Sequence, residues 1–113
     1  MTDRIDDRRI AFLATDGVEQ IELDEPWRAV QEAGGTPVLV APEEGEIQAF
    51  NHLDHGDRRR VDVSLDAASA DDFDGLVLPG GVANPDLLRT DKRAVAFVRA
   101  FFDQHKPVGV ICH

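Results

Sequence analysis

The sequence holds a single cysteine, Cys112, in 113 residues. One thiol excludes a framework of intramolecular disulfides, and a reducing cytoplasm is the natural compartment for such a chain. Basic residues are scarce: 12 Lys and Arg stand against 22 Asp and Glu, a formal charge of −10. A nucleic-acid binder would carry a basic stripe. The one basic cluster, Arg58-Arg59-Arg60, is short, flanked by Asp57 and Asp62, and reads as a solvated turn or the start of a strand. No apolar run approaches membrane-spanning length. The opening residues, Met1 to Arg9, lack the apolar region of a secretory signal. Neither a G-x-G-x-x-G nor a Walker spacing occurs, so nucleotide binding has no support. Internal repeats and low-complexity linkers are also absent.

What is present suits one modest domain. Apolar residues make up 42% of the chain, enough for a core. Residues 1–8 are polar and read as a loose leader; the domain is expected over 9–113. Arg9 to Ala14 reads as a buried strand. A helical pattern runs from about Glu22 to Ala33, with Leu23, Trp27 and Val30 on one face and Pro26 tolerable in its first turn. Gly34 and Gly35 end it, and Thr36 to Ala41 is a second buried strand. From Pro42 to Asp66 the pattern alternates at Ile47–Phe50 and Val61–Val63, as in an antiparallel excursion with one wet face. Asp66 to Asp72 suits a short helix or turn. Asp74 to Leu78 is a third buried strand, broken by Pro79-Gly80-Gly81. Asn84-Pro85-Asp86 opens a helical turn carrying Leu87 and Leu88. Thr90 or Asp91 then caps a helix to about Gln104, whose apolar stripe is Ala94, Val95, Phe97, Val98, Phe101 and Phe102. Pro107 to Ile111, continuous Val and Ile, reads as a last buried strand. This order predicts an α/β fold: a mainly parallel sheet between helices.

In such sheets chemistry sits beyond the carboxyl ends of the strands. Three of those ends lead to Glu19, to Gly80-Gly81 and to Cys112-His113. Each residue has a bland and a sharp reading. Cys112 is either an inert core thiol or a nucleophile on a strand-to-helix turn. His113 is a polar loop residue or the general base to that thiol. Glu19 is a solvated acid or a carboxyl lowered beside Cys112. The glycines make a turn, or let backbone N–H groups approach an oxyanion. Asp86 pairs with His113, from the same or another subunit, or caps a helical turn. His52-x-x-His55 with Asp54 and Asp57 offers metal-type ligands, but two histidines in a turn do not close a zinc site, and a solvated loop is the expectation.

Together Val18–Leu23, Asp74–Asp86 and Lys106–His113 resemble the ThiJ/PfpI superfamily, and most closely its PfpI-like intracellular protease/amidase branch. The resemblance covers nearly all of residues 9–113. It implies a flavodoxin-like sandwich related to class I glutamine amidotransferase domains. It implies Cys112 as nucleophile, His113 as its partner, and Glu19 as the acid that hydrogen-bonds the cysteine. Asp86 matches an acid that reaches the histidine from a neighbouring subunit, in a dimer or hexamer. Gly81 and His113 match the backbone donors of the oxyanion hole. The implied activity is hydrolysis of a peptide or amide, or deglycase and glyoxalase chemistry on methylglyoxal-derived carbonyls, in stress protection. The substrate is then a small carbonyl, a peptide or a glycated protein, and neither cofactor nor metal is required. A redox-sensing or chaperone-like stress protein, using oxidation of Cys112 without turnover, is the alternative. Members of the family usually continue after Cys-His through a helix and further sheet; a polypeptide ending at His113 is expected to have an unfinished sheet, poor stability and little activity.

Overall fold

A computed structural model describes residues 4–80 and 88–111. Its centre is a five-stranded, all-parallel sheet. In chain order its strands are β1 (Arg9–Leu13), β3 (Thr36–Ala41), β6 (Val63–Ser64), β7 (Gly75–Leu78) and β8 (Val108–Val110). Across the sheet they lie in the order β6-β3-β1-β7-β8. The chain grows outward from β1 in both directions, so the strand order reverses beside β1, where α/β sheets open a crevice at their carboxyl edge.

Among the described residues one long helix covers each face. Period-two alternation sends Ala11, Leu13, Val38 and Val40 to one side, and Phe12, Leu39 and Ala41 to the other. The first set packs under α2 (Lys92–Asp103) through Ala94, Phe97 and Phe101. The second packs under α1 (Gln20–Glu32) through Leu23, Trp27 and Val30, with the Phe12 and Trp27 rings 5.1 Å apart. The fold is therefore the expected α/β sandwich.

Asp91 is the N-cap of α2, its carboxylate accepting from the Arg93 N–H at 2.9 Å. Asp74 caps the entry to β7 differently, accepting from the Arg9 N–H at 2.8 Å. That bond, ahead of the nearby Arg8 charge, holds the Asp74 carboxyl below its ordinary value.

Several expectations need correction. The helix begins at Gln20 rather than Glu22, because Val18–Glu19 form a short strand, β2, that turns directly into it. Pro26 consequently lies inside α1, not in its first turn, and removes the helical bond to the Glu22 carbonyl. The leader is not loose from residue 4 onward: the Ile5 N–H donates to the Ala33 carbonyl and Arg4 reaches the Glu32 carbonyl. The stretch around His55, expected as a solvated loop, is a strand. β4 (Glu46–Asn51) and β5 (Asp54–Arg60) make an antiparallel hairpin, with β2 added in parallel as a third strand. The arginine cluster belongs to β5, where Arg58 pairs with Glu46, and Arg59 reaches Asp24 and stacks over Trp27. Val63 joins the parallel sheet, not the hairpin. β8 has the expected parallel pairing to β7 but is not buried: it is an edge strand with Val110 61% exposed. Val95 and Phe102 of the anticipated stripe are exposed as well. The helical turn expected at Asn84–Asp86 lies outside the described residues.

Candidate active site

Three carboxyl-end segments meet beside β1. The Glu19 N–H, at the junction of β2 and α1, donates to the Gly80 carbonyl at 3.1 Å. The Gly80 N–H donates to Glu22 Oε1, also at 3.1 Å. The Ile111 N–H, just past β8, donates to the Leu78 carbonyl at 3.0 Å. Gly80 is wedged between two of these elements. A Cβ there would stand 2.6 Å from the Ile111 carbonyl oxygen and 2.5 Å from Glu22 Oε1. Only a residue without a side chain permits that approach. The loop after β7, the start of α1 and the end of β8 are thus drawn together at one point.

Glu19 is expected beside Cys112, which lies outside the described residues. The carboxylate that meets Gly80 is that of Glu22. Glu22 is 8% exposed, and its Oε1 takes up the Gly80 N–H. The Glu19 carboxylate, 6% exposed, accepts from the His52 N–H at 3.0 and 3.2 Å and serves the turn between β4 and β5. With α1 opening at Gln20, Glu22 falls in the first turn, next to buried Leu23. Glu19, as the last residue of a strand, follows the strand's own alternation. Since the Gly80 N–H is committed to Glu22, Gly80 is not an oxyanion donor in this arrangement. Gly81, Asp86, Cys112 and His113 lie outside the described residues; Gly81 and Cys112 are the residues that follow Gly80 and Ile111 in the chain.

The remaining candidates are spread apart. His52 sits in a turn with φ +59°, and His55 lies on β5 with its ring edge-on to Phe50. Among the described residues no group of three or more His, Cys, Asp or Glu side chains could hold a metal ion. An ion-pair hub lies elsewhere on the same carboxyl edge. Arg93 joins Glu43 after β3, Asp66 after β6 and Asp91 at the start of α2, at 3.1, 3.0 and 2.8 Å. These acids, Asp91 first, hold the Arg93 guanidinium above its ordinary value, and the Arg93 side chain in turn keeps the Asp91 carboxyl below its own. Next to the strand ends an apolar groove of about 580 Å³ runs between β8 and α2, lined by Leu78, Pro79, Val95, Phe102, Val110 and Ile111 among others. No helix among the described residues is long and apolar enough to cross a membrane.

The model of the DJ-1/PfpI family matches residues 8–113. The "Putative cysteine protease YraA" of Bacillus subtilis (strain 168) is 41% identical over 106 residues, which are 94% of this chain and 60% of that protein. The "Deglycase PfpI" of Pyrococcus furiosus is 37% identical over 105 residues, 93% of this chain and 60% of that one. Among solved structures, the VC2308 protein superposes with a TM-score of 0.84 at 28% identity, covering 94% of this chain and 53% of its own. The chain therefore spans about three fifths of the length of the curated relatives it matches.

Proposed function

Because this chain belongs to the DJ-1/PfpI family, we propose that it carries the nucleophile of a cysteine-dependent hydrolase acting on amides or on carbonyl adducts of amines. The observation that supports this most is the meeting of Gly80, Glu22 and Ile111, because the two residues that follow the glycine and the isoleucine are Gly81 and Cys112. Successive Cα atoms across a trans peptide stand 3.8 Å apart, and this short reach supports the reading that the thiol serves the same strand-end crevice.

In this reading, with an amide as the substrate, the Cys112 thiolate attacks the carbonyl carbon, and the electron pair of the C=O bond moves onto oxygen. The Gly81 and His113 N–H groups hold that oxyanion. His113 passes a proton to the leaving amine as the C–N bond breaks, and Asp86 orients the imidazole. Water then releases the acyl group from sulfur and regenerates the thiol. Glu22, rather than Glu19, is the acid beside the nucleophile, since it is the carboxylate already directed at Gly80. The names of the relatives, one a deglycase and one a cysteine protease, agree with either substrate class.

The test compares the wild-type protein with Cys112→Ser and Asp86→Asn. Methylglyoxal consumption and hydrolysis of a peptide amide are followed in parallel. Cys112→Ser should abolish turnover of the accepted substrate, and Asp86→Asn should lower kcat by at least tenfold. Turnover that survives in Cys112→Ser overturns the nucleophile assignment. No turnover in the wild type, with a peroxide-dependent mass gain at Cys112, favours reversible oxidation instead.

A further inference from the structure

Pro26 lies inside α1, where proline is the most disfavoured residue. Having no N–H, it cannot supply the bond that residue 26 would give to the Glu22 carbonyl, and a proline ring in a helix crowds that same carbonyl. In a regular helix the carbonyls of Gln20, Ile21 and Glu22 tie the first turn to the next through residues 24, 25 and 26. The proline takes away the tie that belongs to Glu22. Packing gives little in return. The side chains that seat α1 on the sheet are Leu23, Trp27 and Val30, whereas Pro26 is half-buried.

The first turn is held from outside the helix. Its N-cap, Glu19, makes no side-chain cap bond. Instead the Glu19 N–H donates to the Gly80 carbonyl at 3.1 Å, and the Glu19 carboxylate accepts from the His52 N–H at 3.0 Å. Gln20 Oε1 accepts from the Asp57 N–H of β5 at 2.6 Å. Glu22 Oε1 accepts from the Gly80 N–H at 3.1 Å, and a Cβ on Gly80 would stand 2.5 Å from that oxygen. The last contact is a close one, so the backbone of Glu22 has to sit where its carboxylate reaches Gly80 without striking it.

We infer that Pro26 is a positioning residue of the site and acts through Glu22: by uncoupling the first turn of α1 from the rest of the helix, it lets that turn settle on Gly80. The geometric part concerns α1 and Gly80 alone, and its consequence for the thiol rests on the nucleophile reading above. With an N–H donor at position 26, the first turn is drawn into line with the helix that follows, and Glu22 Oε1 is drawn off the Gly80 N–H. The helix itself gains a bond and loses a crowded ring. A firmer fold with a looser site is therefore the signature of removing the proline. A proline with no role beyond the helix gives the first without the second.

The experiment compares the complete chain as wild type, Pro26→Ala, Glu22→Gln and the double variant. Amide hydrogen exchange at Gly80, thermal unfolding, and the pH profile of Cys112 alkylation by iodoacetamide are measured on each. Pro26→Ala should raise the unfolding temperature by a few degrees, because the best helix former replaces the poorest. It should also speed Gly80 exchange at least threefold, against the trend of a stabilised fold. Glu22→Gln, which keeps an acceptor for the Gly80 N–H, should leave Gly80 exchange close to that of wild type. The alkylation profile of Pro26→Ala should shift in the same direction as that of Glu22→Gln, and in the double variant the proline change should add nothing to the glutamine shift. Unchanged Gly80 exchange in Pro26→Ala overturns the inference, as does a profile shift that adds to that of Glu22→Gln. A lower unfolding temperature in Pro26→Ala also overturns it, since the proline then serves the fold. Faster Gly80 exchange in Pro26→Ala, with no profile shift in it or in Glu22→Gln, upholds the placement of Glu22 by Pro26 and counts against the nucleophile reading instead.

Discussion

β1 and β8 are written in the same language, and the structure treats them oppositely. Ile10-Ala11-Phe12-Leu13 and Val108-Gly109-Val110-Ile111 are both unbroken apolar runs, and both pair in parallel with β7. β1 has a strand on each side and a helix on each face, and Phe12 is wholly buried. Among the described residues β8 has a strand on one side only, and Val110 is 61% exposed. A continuous apolar run thus reports that a strand is suited to burial on both faces; its place in the sheet decides whether burial occurs. The exposed run at β8 continues into the groove against α2, where Val95 and Phe102 are exposed too. An unpaired apolar edge of this kind is prone to pair with other chains.

The largest expected effect lies at the centre. Phe12→Ala should cost about 3–5 kcal/mol in urea unfolding, since the ring is fully enclosed and packs on Trp27. A loss under about 1 kcal/mol would mean that the two strands differ less than their burial indicates.

Between the two strands in magnitude lies α2, which covers one face of the sheet. Asp91→Ala removes its N-cap and should cost about 1 kcal/mol at neutral pH. The sign of the pH dependence follows from the depressed Asp91 carboxyl. Its contribution is fully present above the ordinary value of 3.8 and is lost as the pH falls through that value and then through the lower folded-state value. The gap between wild type and variant should therefore close in acid. Denaturant midpoints from pH 7 down to pH 2.5 check this, and a gap that stays constant would remove the ionised cap from the account.

The smallest effect belongs to the edge. Val110→Thr should change stability by no more than about 0.5 kcal/mol, because the side chain already meets water. It should also reduce self-association in light scattering. A loss above about 1 kcal/mol would show that β8 is covered in solution and is an edge only within this chain.

Much of the architecture was legible in the order of residues. The three inner strands declared themselves by their β-branched and apolar runs, and β3 has the same bounds as expected, Thr36–Ala41. α2 was readable because a capping acid precedes a wide apolar stripe. The hairpin was read only in part. Asp54–Arg60 is polar throughout, so its strand state comes from pairing with β4 and from the grip of Gln20, not from its own composition. The same limit applied to the site. The sequence could place acids, glycines and the thiol at strand ends, but not say which acid faced which glycine.

The stretch that ends in Cys112 shows the division clearly. By itself the sequence determined a parallel strand ending in a lone thiol, together with family membership and the loops that border the crevice, because periodicity and residue type are local properties of the chain. The tertiary structure alone decided that this strand is an exposed edge, that Glu22 meets Gly80, and that Glu19 is turned to His52. Those outcomes depend on neighbours far apart in sequence: Gly80 lies 58 residues from Glu22, and His52 lies 33 from Glu19. Only the packed sheet brings them within hydrogen-bonding distance.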